Sequence, residues 1–182
     1  EAEIEEEIPR DFAIYDLVQF LNGVTLHDNP SIEFPNESNL TIREGKDRKT
    51  KYFFADPSVI VSPPEKSISL PTEDVCFNLD STQLQSLLKA SAVYQLPDLV
   101  AVGEAGVVKL VVRDKKNDTS NEYSINVGET DQEFNFNFKV ENIKILPGTY
   151  EVVISQKLLA RFVNSNFNLT YYIALEPDST FG

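Results

Sequence analysis

The side chains able to do acid–base, nucleophilic or metal chemistry are few and scattered along this chain. Its one histidine, His27, stands beside Asp28, Asn29 and Pro30 at an expected helix end. A catalytic or metal-bound histidine needs partners at defined spacing. With no second histidine and no cysteine cluster, His27 reads as a surface side chain favoured by a helix dipole. The one cysteine, Cys76, lies between Val75 and Phe77 and reads as a buried strand thiol. A lone cysteine excludes an internal disulfide and fits a reducing cytosol. Asp114 and Asp118 share a turn with Arg113, Lys115 and Lys116, the pattern of a solvated hairpin tip rather than an acid–base pair. Gly103 and Gly106 lack the spacing of a phosphate-binding loop. The sequence therefore offers no catalytic set, no metal set and no cofactor motif, and it points to a protein that works by binding, not an enzyme.

Charge narrows what it binds. The formal net charge is -13 over 182 residues, which argues against loose, whole-surface attachment to nucleic acid. The basic residues are notable for their positions. Arg43, Lys46, Arg48, Lys49 and Lys51 surround one turn, and Arg113, Lys115 and Lys116 another. Lys89 and Lys144 fall on the polar sides of two expected helices. Taken singly, each is more often a solvated face than a binding site. No apolar run is long enough to cross a bilayer as a helix. The acidic opening, Glu1 to Ile8, reads either as a solvated edge strand or as a frayed end.

The elements that position these residues repeat. A short strand, a short amphipathic helix and three strands occur over Phe12 to Ala55, Val75 to Val127 and Phe134 to Glu176. In the first repeat Phe12 to Ile14 is an expected strand. Asp16 then caps a helix carrying Leu17, Phe20, Leu21 and Val24 at i, i+3, i+4, i+7. Strands follow at Ser31 to Phe34, Leu40 to Arg43 and Lys51 to Ala55. In the second repeat Val75 to Leu79 is a strand, Asp80 or Ser81 a helix cap, and Leu84, Leu87, Leu88 and Ser91 one helix face. Strands are expected at Leu99 to Val102, Val107 to Val112 and Tyr123 to Val127. The third repeat opens on the strict alternation Phe134-Asn135-Phe136-Asn137-Phe138. Two helical turns over Val140 to Leu146 are expected next, then strands at Tyr150 to Ile154, Leu158 to Val163 and Leu169 to Leu175. Between the first two repeats, Pro57, Pro63, Pro64 and Pro71 mark an extended, stiff connector. This divides the chain into an N-terminal domain (1–56), a connector (57–72) and a C-terminal domain (73–182).

Five strings in collinear order carry a resemblance. They are Phe12-Ala13-Ile14-Tyr15-Asp16-Leu17, Ala55-Asp56-Pro57-Ser58, Leu84-Gln85-Ser86-Leu87-Leu88, Leu146-Pro147-Gly148-Thr149-Tyr150 and Ala174-Leu175-Glu176-Pro177-Asp178-Ser179-Thr180. With the repeat order they resemble the sliding clamps of T-even-type bacteriophages, the processivity factors of phage DNA polymerases. The resemblance implies an α+β DNA-clamp architecture with two β-α-β-β-β units per domain and two domains per subunit. Four units are then expected; three are recognisable, and Glu1 to Arg10 is expected to hold the remnant of the first. It also implies a head-to-tail homotrimer that encircles double-stranded DNA without reading sequence, in the cytoplasm of an infected bacterial host. A phage DNA polymerase and a clamp loader are the implied partners, and no membrane is involved. On this view Lys89 and Lys144, with Lys115 and Lys116, are candidates for contact with DNA phosphates. Val61, Ile68, Leu70, Leu175 and Pro177 are candidates for the apolar pocket that takes partner peptides.

A non-catalytic β-rich structural or adhesive protein, such as a virion component or carbohydrate-binding module, has the same strand content and acidity. The helix at one fixed place in each repeat favours the clamp, because a β-sandwich repeat has no need of it.

Overall fold

The protein is described from a computed structural model covering residues 2, 6–61 and 68–182. The chain forms two compact bodies, Glu6–Lys66 and a larger one built from Ser67–Gly182 with Glu1–Glu5. Ile4 of the acidic opening and Pro63 and Pro64 of the connector lie outside the described residues.

In the N-terminal body, α1 (Leu17–Val24) begins where the Asp16 carboxylate accepts the Gln19 N–H at 2.9 Å, supplying a partner to a first-turn donor. The sheet is β1 (Ser31–Glu33), β2 (Asn39–Glu44) and β3 (Arg48–Phe53), all antiparallel in that order. Phe20, Leu40 and Ile42 form its core, with Phe12, Ile14, Val24, Phe34, Tyr52 and Phe54 packed around them. The expected strand at Phe12 to Ile14 is absent as regular structure: the segment packs apolar side chains, and Ala13 O accepts the Ala55 N–H. The expected apolar face of α1 is only half used, since Phe20 is buried while Leu17 and Leu21 are exposed. His27 is corrected from a surface residue to a buried one, with Nε2 3.0 Å from the Thr50 hydroxyl and Nδ1 3.8 Å from Glu44. The connector begins as a short 3-10 turn, Pro57–Val59, capped by the Asp56 carboxylate, rather than as extended chain. These bonds from Ser58 hold the Asp56 pKa below its ordinary value.

The C-terminal body contains the second and third repeats. Its elements are β4 (Val75–Leu79), α2 (Ser81–Tyr94), β5 (Asp98–Glu104), β6 (Val107–Arg113), β7 (Tyr123–Glu129), β8 (Phe134–Lys139), β9 (Tyr150–Ser155), β10 (Leu159–Asn164), β11 (Thr170–Ala174) and β12 (Thr180–Phe181). They make a four-stranded sheet, β11-β10-β9-β4, and a five-stranded sheet, β12-β8-β5-β6-β7. The pairing is interlocked. The first strand of the second repeat, β4, joins β9 of the third, while the first strand of the third, β8, joins β5 of the second. Neither repeat closes its own sheet, which is the physical content of a unit that must pair with a neighbour. The N-terminal body holds only one recognisable repeat, so Phe12 to Ile14 finds no equivalent of β5 or β9 among the described residues.

One core joins both sheets and α2. It includes Phe77, Leu84, Leu87, Leu110, Phe136, Phe138, Tyr150, Val152, Ile154 and Phe162. A two-residue hairpin links β5 to β6, with positive φ at Ala105 and Gly106, the backbone of a type I′ turn. At Gly103 a Cβ would sit 2.3 Å from the Phe134 ring and 2.6 Å from the Gln132 carbonyl, so only glycine lets β5 approach this closely. Cys76 is corrected to exposed. Val75, Phe77 and Leu79 take the inward positions of β4, and the period of two turns Cys76 outward. Partial desolvation against the sheet, with the charges of Glu151 and Glu73 adding to it, raises the thiol pKa.

Candidate functional site

The second repeat's helix is the best-formed candidate surface. Asp80 accepts the Gln83 N–H at 2.8 Å while the Gln83 side chain accepts the Asp80 N–H at 3.0 Å, a reciprocal capping box. Leu84, Leu87 and Ser91 face the core, and the Ser91 hydroxyl donates to Leu96 O at 2.7 Å. Thr82, Gln85, Lys89 and Ala92 are exposed on the remaining surface. Lys89 is thus a cation on an acid-free helix face, with the exposed Val93 one turn on and no ion-pair partner among the described residues.

Lys144 occupies the corresponding place in the third repeat but not on a helix. Val140–Asn142 forms a single 3-10 turn, and the chain then runs irregularly to Pro147. Ile143 dives into the core while Lys144 remains exposed. The β-branched residues Val140, Ile143 and Ile145 and the proline oppose a longer helix.

Lys115 belongs to a different construction. Its ammonium is 2.7 Å from the Asp178 carboxylate with its side chain 15% exposed, and its N–H donates to Asp98 at 3.0 Å. The charge is already held, which withdraws Lys115 from the free cations. The Lys115 bond keeps Asp178 below the ordinary carboxylate pKa. Lys116 is exposed, its N–H bonded to Asp114. The loop carrying both residues borders a cavity of about 340 Å³ lined by Arg113, Asp114, Asp118 and Glu122 among others. No group of metal-ligating side chains is assembled among the described residues.

Sequence reasoning missed the network beneath this loop. Asp98, 1% exposed, accepts from the Lys139 ammonium at 2.5 Å, and that bond raises the Lys139 pKa against the opposing effect of burial. Asp98 and Lys139 are register partners on β5 and β8, a relation visible only once the strands are paired. The same network holds the C-terminal tail. The Glu176 N–H donates to Asn137 O, the Gly182 N–H donates to Glu133 O, the Asn137 amide reaches Asp178, and Phe181 stacks on Phe134 and Phe136.

The apolar candidates separate by body and by burial. Val61, in the N-terminal body, is 96% exposed. In the C-terminal body Ile68 and Leu70 are half-buried and Pro177 is exposed. Leu175, expected to be exposed, is corrected to a core residue at 6% exposure, its N–H donating to Leu158 O.

Comparison with known proteins adds a family. The profile described as "gp45 sliding clamp, C terminal" matches residues 76–177. The sliding clamp of Vibrio phage KVP40 is 34% identical over 182 residues, spanning 96% of this chain and 80% of that protein. The sliding clamps of Escherichia phage RB69 and Enterobacteria phage T4 are 34% and 32% identical over 190 residues, each spanning 99% of this chain and 81% of theirs. Among solved structures, an A. fulgidus PCNA bound to the C-terminal region of FEN-1 superposes with a TM-score of 0.55 at 14% identity, covering 83% of this chain and 65% of that one. The DNA polymerase III β subunit (DnaN) sliding clamp of Bartonella birtlesii gives a TM-score of 0.54 at 14% identity, covering 80% of this chain and 41% of that one. At such identity the likeness speaks to the fold, and it agrees with the α+β clamp architecture that the resemblance implied.

Proposed function

Because this chain belongs to the gp45 sliding-clamp family, we propose that copies of it close head to tail into a trimeric ring that duplex DNA threads. It is a DNA sliding clamp serving polymerase processivity. In the fuller reading it turns over no substrate, is opened by a clamp loader and acts inside an infected bacterial cell. The acidic balance of -13 suits a ring whose outer surface repels DNA. A few lysines on the inner wall then give weak, sequence-blind phosphate contacts that permit sliding. The observation that carries this reading is α2, a well-capped helix whose outward face offers Gln85 and Lys89 and no acid. Lys144 and Lys116 are secondary candidates for the same wall, each exposed but off a helix.

The test is Lys89→Glu. It should shorten residence on DNA about fivefold, the equivalent of about 1 kcal/mol of surface electrostatics, with unchanged thermal unfolding. Primer extension at moderate salt reads this as shorter polymerase products; unchanged product length removes Lys89 from the wall.

For the partner surface we retain Ile68, Leu70 and Pro177 of the C-terminal body, and separately Val61. Leu175 has no exposed side chain to offer. Ile68→Ser with Leu70→Ser should weaken a polymerase-tail peptide roughly tenfold, since each loses apolar contact area. Equal affinity by calorimetry excludes both residues from the pocket.

A further inference from the structure

The connector reaches β4 through Thr72, Glu73 and Asp74, and these residues are bound to the turn between β9 and β10. The Asp74 N–H donates to Ile154 O at 3.0 Å, just ahead of the ladder position where Val75 faces Ile154. Both oxygens of the half-buried Asp74 carboxylate are engaged. Oδ2 accepts the Gln156 N–H at 2.8 Å and the Thr72 hydroxyl at 2.5 Å. Oδ1 accepts from the Gln156 side-chain amide at 2.9 Å. The Thr72 oxygen also lies 2.6 Å from the hydroxyl of Ser155, a residue with no exposed surface. Since Thr72 donates to Asp74, Ser155 is the donor in that pair, and its oxygen accepts the Lys157 N–H at 3.1 Å. Glu73 adds an ion pair to Arg161 of β10 at 3.1 Å.

This turn is a junction. Leu158 takes a left-handed backbone with φ +66°, a strained conformation for a leucine that persists only where its surroundings enforce it. Its carbonyl accepts the Leu175 N–H at 3.0 Å, and Pro177 follows shortly after Leu175. On the other side of the turn, Ile68 and Leu70 stand shortly before Thr72. One short turn therefore holds both the connector end and the start of the C-terminal tail. Desolvation works against the Asp74 charge, but the bonds from Thr72 and Gln156, with the Lys157 ammonium nearby, outweigh it and keep the pKa below its ordinary value.

We propose that Asp74 is a positioning residue for partner binding: it fixes the connector end to the β9–β10 turn, so Ile68 and Leu70 are already ordered when a peptide arrives. This rests on the reading of Ile68, Leu70 and Pro177 as a partner surface. Asp74 itself touches no peptide. Its contribution is preorganisation, because a segment ordered beforehand spares the complex that entropic cost. A carboxylate can also do no more than cap a tight turn; in that role alone, its loss would change stability and leave the connector and its affinity unmoved.

The full chain tests this by calorimetry with the polymerase-tail peptide, NMR order parameters at Ile68 and Leu70, and urea unfolding. Asp74→Ala should weaken the peptide about fivefold and lower both order parameters. Asp74→Asn should stay close to the parent. Its amide oxygen still accepts from Gln156 N–H and Thr72, and the Gln156 side chain can turn over to accept from the new amide. Thr72→Val, at an exposed residue, should move both readouts in the direction of Asp74→Ala by a smaller amount, and it serves should Asp74→Ala fail to fold. Unchanged affinity in a folded Asp74→Ala, or in Thr72→Val, overturns the positioning role and leaves the partner surface standing. Loss of order without loss of affinity does the same. A parent that does not bind the peptide overturns both.

Discussion

Replacing Lys139 with methionine is expected to destabilise the C-terminal body by about 3–5 kcal/mol, the cost of stranding one partner of a buried ion pair. Asp98 is 1% exposed, and its carboxylate has two donors, the Lys139 ammonium at 2.5 Å and the Lys115 N–H at 3.0 Å. Methionine keeps most of the apolar stem and removes the charge, leaving a single backbone donor for a carboxylate with no route to water. Asp98→Asn should cost less. The amide oxygen still accepts, and the stranded Lys139 side chain is 24% exposed, so water satisfies part of it. Lys139→Met with Asp98→Asn should recover part of the loss, because the uncompensated charge is gone. Urea unfolding of the four proteins closes the cycle. A single-variant loss below about 1 kcal/mol would show that the pair is solvated and structurally idle.

The pair also has a defined pH signature. The Lys139 pKa is raised in the folded state, chiefly by its bond to Asp98. Its stabilising contribution is therefore complete below the ordinary lysine value and is lost as pH rises through the higher folded one. Stability near neutrality is untouched, and the parent's advantage over Lys139→Met should narrow only in strong alkali. Lys115 and Asp178 connect the same region to the tail that carries Pro177, so hydrogen exchange at the Gly182 N–H reads any loosening of the candidate partner surface.

Much of the fold was legible because period-two and period-3.6 patterns report directly on burial. β4 spans Val75–Leu79 as its alternation demands, and the inward face of α2 is the one its leucines mark. The misreadings share a cause: they needed a partner the local pattern does not specify. Phe12 to Ile14 has strand composition, yet a strand exists only with a ladder, and interlocked pairing takes the ladder from another repeat. Val140 to Leu146 has helical spacing, but Ile143 is drawn into the core after one 3-10 turn. Cys76 has apolar neighbours that suggest burial, yet in a strand apolar residues on both sides turn the one between them away from the core. His27 follows a helix end, which suggests exposure, but its surroundings are set by Thr50 and Glu44, residues distant in sequence. Of the candidate site, Lys89 was readable because the helix carrying it is set by its own cap and leucines. The occupancy of Lys115 was not, since Asp178 lies 63 residues away in sequence.

Interlocking also dictates how the C-terminal body should fail. Phe77→Ala is expected to cost about 3–5 kcal/mol, the range for an aromatic truncated in a close-packed core. Phe77 is 6% exposed on β4, opposite Val152 on β9 and close to Gly128 on β7. It belongs to the second repeat by sequence, sits in the third repeat's sheet by pairing, and touches a strand of the second repeat's sheet. If each repeat were an independent folding unit, its loss would soften one sheet and spare the other. Because β4 and β8 are exchanged between the repeats, neither sheet can open without releasing a strand of the other. The destabilisation should therefore appear equally in the exchange of α2, β6 and β10 amides, as one cooperative transition with an unchanged denaturant slope. Two separable transitions, or protection lost in only one sheet, would refute the shared core. For a clamp the single transition has a use: α2 and both sheets share one core, so the helix proposed to meet DNA keeps a fixed place on the sheets behind it.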